Sequence, residues 1–516
     1  MDMQSEVIAF LKSPAAHGGR QDKVEQLETH GALVFLAGVD AYKIKRAVRY
    51  SYMDFSTLDR RRAAIEREFE INQPHAPDIY LKVSPITRET NGQLRIGGTG
   101  IPVEWALHMR RFEQAALLRS ISDRGGLSPA LARQLADTVL DSHRLAPRIR
   151  DDHGDTRMRR IAADLIAGLA TIDHGMKPFH HQDVAAAIMR QLDRAAPVLQ
   201  ARGKAGHIAR CHGDLHLNNI VMWKGTPTLF DAIEFDENLA TIDTLYDLAF
   251  LVMDLDHRQH RVAANIVLNR YLARSHAHLD IDGLAALPLF LGLRSAIRGL
   301  VTVQRAMLRP ALAVSRDRDI AAARSNLDDA LRYLSPAAPR LVAVGGFSGT
   351  GKTTLAASLA PLLDPPPGAL HIRTDLERKA LFGVTETERL PPDSYTKEAS
   401  NTIYAVVMDK ARRALAAGHS VVVDAVFSTA GERDAMASLA RDTGVGFTGL
   451  WLSAPADILK ARVTARTHDA SDATADVIDL QLQRGSGAVE WLQVDAGGTP
   501  EATSAAARSR LEAGTK

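Results

Sequence analysis

Two short stretches of this 516-residue chain concentrate side chains suited to chemistry. GFSGTGKTT, from Gly346 to Thr354, sets Gly346, Gly351, Lys352 and Thr353 in the G-x-x-x-x-G-K-[ST] spacing, between the buried-type strand LVAVG and the helical ASLAPLL. Glycines there let backbone N–H groups close around phosphates, and the helix start adds partial positive charge. In such a loop Lys352 would neutralise the outer phosphates and Thr353 would ligate magnesium. Ser348, Gly349, Thr350 and Thr354 complete a nucleotide cradle. CHGDLHLNNIVMWKGTPTLFDAIEF, from Cys211 to Phe235, puts a carboxylate, Asp214, five residues before a carboxamide, Asn219, at the start of an apolar strand. Asp231 follows twelve residues later, with Glu234 and Asp236 close behind.

The elements that must hold these groups are legible as patterns. Residues up to about 110 read as short strands around one helix: GALVFLAG, a turn at Val39 and Asp40, AYKIKRAV, the helical TLDRRRAAIEREFEIN, then IYLKVSPI and GQLRIGG. From about Trp105 to Ala205 the pattern is helical, as in PALARQLADTVLDSHRL and MRRIAADLIAGLATI. Strand-like IVMW and TPTLFDAIEF come next, then helices from Thr244 to Leu334. SPAAPR at 335–340 marks a boundary, beyond which strands LVAVGG, ALHIRTD, SVVVDAVF and GFTGLWL alternate with helices, the pattern of a parallel sheet covered on both faces. The terminal TSAAARSRLEAGTK reads as a final helix.

The stretch at Cys211–Phe235, together with YDLAFLVMDLD downstream, resembles the catalytic loop of the protein-kinase-like aminoglycoside phosphotransferase and choline kinase superfamily. The resemblance implies a bilobal α+β domain over residues 1–334, with an N-lobe to about 104 and a C-lobe from about 105. It implies that Asp214 accepts the proton of a substrate hydroxyl, while Asn219 and an acidic residue of the next hairpin hold magnesium. Asp231 fits that second ligand best, with Glu234 and Asp236 as competitors. Asp247 would buttress the loop. A strand lysine paired with a helix glutamate should position ATP phosphates; Lys43 and Lys45 lie on one strand face, so either serves, and Glu68 is preferred over Glu66 as partner. No G-x-G-x-x-G loop is evident upstream.

Residues 341–516 resemble the small AAA-type P-loop kinases related to polynucleotide kinase, zeta toxins and gluconate kinase. In that group an aspartate at the position of Asp375 contacts the acceptor hydroxyl, and an acidic residue at a strand end, here Asp424, orders magnesium. Arg462 and Arg466, four apart on one helical face, would belong to a lid that closes over ATP and stabilises the transferred phosphoryl group.

Composition fits this reading. Apolar residues make up 46% and charged residues 24%, and the net charge of +2 argues against nucleic acid or an anionic membrane as main partner. The single cysteine, Cys211, fits a reducing, cytoplasmic setting and reads as a packing residue. The opening residues lack the basic-then-apolar signature of a secretory signal, and the apolar LPLFLGL stops at Arg294, short of a membrane span. The expectation is an α/β multidomain, bifunctional ATP- and Mg2+-dependent kinase with small-molecule alcohols as acceptors. The alternatives are a sensor whose first domain is a pseudokinase, and a toxin-like nucleotide-sugar or polynucleotide kinase.

Overall fold

The computed structural model describes residues 3–19, 23–29, 31–49, 53–172, 181–307, 314–465 and 470–513. Packing divides the chain into two compact units, Met1–Asp152 with Gly203–Asp254, and His153–Arg202 with Leu255–Lys516. By packing, the helical stretches 153–202 and 255–334 thus fall in the same unit as the C-terminal sheet, whereas composition grouped them with the first domain.

The first unit contains β1 (Glu25–Glu28), β2 (Ala32–Ala37), β3 (Asp40–Lys45), β4 (Tyr80–Arg88), β5 (Leu94–Ile96) and β6 (Ile101–Arg110). They make one antiparallel sheet in the order β1-β2-β3-β6-β4-β5. The β2–β3 turn uses Gly38 and Val39, one residue earlier than expected, because Asp40 already pairs with Ala37. The helical reading from Trp105 is also corrected. Residues 101–110 are the strand between β3 and β4, where cover on both faces removes the alternation that would have marked it.

Helix Leu58–Asn72 follows an N-cap, Thr57, whose hydroxyl accepts from Arg60 N–H, and it contains no glycine or proline. Arg61 fastens it to the sheet through bonds of 3.0 and 2.8 Å from Nε to the two carboxylate oxygens of Glu104 on β6. The unit also contains β7 (Arg148–Ile149), β8 (Ile208–Arg210), the antiparallel hairpin β9 (Ile220–Trp223) and β10 (Thr226–Leu229), and β11 (Thr241–Asp243), which pairs with β8. The first unit therefore has the sheet-plus-one-helix lobe and the loop-and-hairpin of a protein-kinase-like domain.

The second unit contains β12 (Arg340–Gly346), β13 (Leu370–Arg373), β14 (Val421–Asp424), β15 (Gly446–Ser453) and β16 (Leu492–Asp495). All pair in parallel, in the order β13-β14-β12-β15-β16, the P-loop kinase-like α/β architecture. Sequence reading missed β16, a four-residue edge strand with only Val494 buried. It also held that no stretch reaches a membrane span. The helical run His278–Met307 does, with mean hydropathy 1.5, because the helix continues past Arg294. Its apolar window is 78% buried within the protein, the mark of a core helix.

Candidate active sites

In the first unit, β3 places Lys43 and Lys45 on one face, and both reach Glu68, which is fully buried on helix Leu58–Asn72. Lys43 Nζ donates to Glu68 Oε1 at 2.7 Å and to Asp231 Oδ1 at 2.6 Å. Lys45 Nζ donates to Glu68 Oε2 at 2.6 Å and to Glu234. Glu66 instead meets Arg62 on the surface, and Asp236 caps the short helix Glu237–Ala240. The two lysines thus divide their work. Lys43 lines a cavity of about 230 Å³ together with Asn219, Asp231 and Tyr80, whereas Lys45 and Glu234 form a buried pair behind it. Burial would raise the Asp231 carboxyl, but the Lys43 ammonium overrides it and holds the group at about 2. Burial likewise opposes the charge on Lys43, and Asp231 and Glu68 push its pKa well above the ordinary value. Glu234 is raised, mainly by burial, with Lys45 opposing.

The loop between β8 and β9 brings Asp214 and Asn219 together. Asn219 Nδ2 donates to both the backbone oxygen and Oδ2 of Asp214, each at 3.0 Å, which leaves the carboxamide oxygen as the atom for a metal. Its backbone is held from below. Asp247, fully buried, accepts from His212 N–H at 3.2 Å, from Gly213 N–H at 2.8 Å and faces His143 Nε2 at 3.1 Å; Asp254 accepts from Leu217 N–H. Cys211 is buried beside this group, where His143, Cys211 and Asp247 approach within 4.8 Å. The Asp247 oxygens are already used by the loop, so the trio reads as support.

Sequence reasoning missed two residues that hold the backbone at Asp231, Tyr80 and Asn72. Asp231 has a φ of 62°, a left-handed conformation costly for a residue with a side chain. Its N–H donates to the Tyr80 hydroxyl at 3.0 Å, and the next N–H, of Ala232, donates to Asn72 Oδ1 at 2.9 Å. Asn72 was visible only as a polar residue at the end of a helix, and Tyr80 as a strand aromatic.

In the second unit the phosphate loop runs from β12 into helix Lys352–Leu359. Gly349 has φ 86°, and a Cβ there would lie 2.7 Å from the Leu459 oxygen, so close approach demands glycine. Thr353 Oγ1 donates to Asp424 Oδ2 at 2.5 Å, and Lys352 Nζ donates to the Phe347 oxygen at 3.1 Å. Thr350 Oγ1 bonds the same oxygen, and Thr354 is exposed on the first helical turn. Asp375 sits in the first turn of helix Thr374–Leu381; burial and the neighbouring Asp424 charge raise its pKa, against Lys352 and Arg373. Asp424 is lowered despite burial by His371, Lys352 and Arg373. Gln481, which sequence reading overlooked, accepts from Ser348 N–H at 2.9 Å and donates to its hydroxyl at 3.2 Å.

The lid role expected of Arg462 is not where the structure puts that residue. Its guanidinium donates to the oxygens of Ala496 and Gly498, both at 2.7 Å, and so anchors the turn after β16. Arg466 lies outside the described residues.

Both donor sets suit magnesium, a hard cation that takes oxygen ligands: carboxamide and carboxylate oxygens at Asn219 and Asp231, hydroxyl and carboxylate at Thr353 and Asp424.

Residues 341–486 match the family model described as an AAA domain. The chain is 30% identical over 462 residues to an uncharacterized protein of Mycobacterium tuberculosis, covering 88% of each, and matches one of Mycobacterium bovis to the same extent. Among solved structures it is similar to a choline/ethanolamine kinase family protein from Mesorhizobium loti, at 17% identity, 64% of this chain, 99% of that chain and TM-score 0.37. It is also similar to a gluconokinase from Sinorhizobium meliloti, at 21% identity, 34% of this chain, 93% of that chain and TM-score 0.26.

Proposed function

The chain belongs to the family of these two mycobacterial proteins, and on that premise we propose that it is an ATP-dependent phosphotransferase with two kinase sites. Each would transfer the γ-phosphoryl group of ATP to a hydroxyl of a small molecule of the sugar, aminosugar or nucleotide class. The observation that carries the first site is one cavity lined by Lys43, Asn219 and Asp231, with Asn219 bonded to the Asp214 carboxylate; the second is carried by the Thr353–Asp424 bond at the start of the phosphate-loop helix.

Lys43 would meet the ATP phosphates, oriented by Glu68; Asn219 and Asp231 would hold magnesium, which when bound neutralises charge on the phosphates. Asp214, 41% exposed at its side chain, is free to reach an incoming alcohol and accept its proton as the oxygen attacks phosphorus and ADP departs. In the second unit the phosphate loop with Lys352 would cradle the nucleotide, Thr353 and Asp424 would hold the metal, and Asp375 would take the acceptor proton. The raised pKa of Asp375 supports that assignment, since a base closer to neutrality is the better proton acceptor. We assign the reaction to the cytoplasm, where ATP is abundant and a lone buried cysteine stays reduced.

The test is a screen of alcohol acceptors with full-length protein, alongside Asp214→Ala and Lys352→Ala. Each variant should lose one activity and retain the other. Loss of both activities in either folded variant, or of neither in both, would end the two-site reading.

A further inference from the structure

One edge of the second unit's sheet is β13, and two backbone groups on its outer side, the His371 N–H and the oxygen of Ala369 just before the strand, are met by side chains. Helix Arg261–Ser275 presents Arg261, Asn265 and Asn269 at four-residue intervals, hence along one stripe. Asn269 Oδ1 accepts from His371 N–H at 2.7 Å, and its Nδ2 donates to the Ala369 oxygen at 3.1 Å. Asn265 Nδ2 donates to the same oxygen at 3.0 Å, and Arg261 bonds the Leu363 oxygen and Asp364. A carboxamide carries a donor and an acceptor side by side, so Asn269 answers β13 as a neighbouring strand would, and only one orientation of the amide satisfies both bonds. The approach is close: a Cβ at Gly368, whose φ is 123°, would lie 2.8 Å from Asn265 Nδ2.

What this edge carries is the metal end of the site. His371 and Arg373 of β13 bring Nε2 and Nε to 3.7 and 3.9 Å from Asp424 Oδ2, the atom that Thr353 Oγ1 also meets. β13 pairs with β14 so that Arg373 stands opposite Asp424. On one side Asp424 is therefore bounded by a strand whose outer edge depends on a helix far upstream in sequence.

We propose that Asn269 is a positioning residue for the P-loop site: by fixing β13 at His371 it sets the Asp424–Thr353 geometry that receives magnesium. The proposal rests on reading that site as a magnesium–ATP site. It also implies that residues 341–516 do not act as an independent module, since part of their metal geometry is supplied by helix Arg261–Ser275.

The experiment measures ATP binding against Mg2+ concentration in full-length protein carrying Lys43→Ala and Asp231→Ala, which together remove the phosphate-facing cation and a metal ligand of the first site. Asn269→Ala should raise the Mg2+ concentration for half-saturation about tenfold, in line with the loss of an outer-shell support, while leaving ATP affinity without Mg2+ nearly unchanged and lowering the melting temperature by only a few degrees. Asn265→Ala should have little effect, because Asn269 still serves the Ala369 oxygen. Lys352→Ala in the same background separates the two claims. If it leaves ATP binding intact, the site reading itself fails; if it abolishes binding while Asn269→Ala titrates like the background protein, the positioning role is overturned. Should Asn269→Ala not fold, Asn269→Ser carries the same expectation, since serine cannot span both backbone groups.

Discussion

The backbone N–H of Asp231 donates to the hydroxyl of Tyr80, 3.0 Å away, at a residue whose φ of 62° places it in the left-handed region. That bond, with Asn72 on the following N–H, holds the carboxylate over the cavity against a conformational cost of about 1–3 kcal/mol. Tyr80→Phe removes the acceptor and little else. First-site turnover should then need roughly fivefold to tenfold more Mg2+, the loss of about 1 kcal/mol or slightly more of hydrogen bonding, with kcat at saturation far less changed. A magnesium titration of the variant decides; an unshifted curve would mean that Asp231 keeps its place without Tyr80.

Lys43 and Lys45 should separate by phenotype. Lys43→Ala removes the cation in the cavity, and the first-site activity should fall by two orders of magnitude or about that, with the fold retained. Lys45→Ala leaves Glu234, 8% exposed, without its ammonium partner and the fully buried Glu68 with Lys43 alone, and should cost roughly 3–5 kcal/mol of stability. Thermal melting and kinetics on both variants would contradict this division if Lys45→Ala melted like the wild type.

Asp247 supports chemistry without touching substrate. Asp247→Ala leaves the N–H groups of His212 and Gly213 without their acceptor in a buried setting, at a cost of about 1–3 kcal/mol for each such group. First-site activity should collapse while the Lys352-dependent activity survives. Proton exchange at the His212 and Gly213 amides, measured by deuterium uptake, should accelerate in the variant; unchanged protection would refute the support role.

His419, 1% exposed, is a pH-sensitive element of the second unit. Burial lowers its pKa to about 4, with a bond to the Gly368 oxygen opposing. Unfolded histidine titrates near 6.5, so above that pH neither state is protonated and no penalty exists. As the pH falls from about 6.5 to about 4 the unfolded state gains a proton that the folded state refuses, and stability declines by a total of about 3 kcal/mol. His419→Gln should flatten the melting temperature of this unit across that window; a variant as acid-sensitive as the wild type would assign the effect elsewhere.

The sequence by itself determined what is local. The phosphate loop from Gly346 to Thr354, the five-residue spacing of Asp214 and Asn219, and the alternation of strands and helices after 340 depend on turns and periodicities within about ten residues, and tertiary packing left them as written. Strands at sheet centres and edges were harder: β6 lacks alternation because both faces are covered, and β16 buries a single residue. Only the tertiary structure decided which lysine faces the cavity. Lys43 and Lys45 share a strand face, and what distinguishes them is contact with Asp231 and Glu234, 188 and 189 residues away. The same holds for Arg462, whose basic helical face was legible but whose partners, the carbonyls of Ala496 and Gly498, were not. Asn269 reaches β13 across about a hundred residues, and no pattern in a helix announces which strand edge it will complete. Short-range geometry is set by covalent spacing, whereas the use of a charged or amide side chain is set by which unsatisfied group packing carries to it.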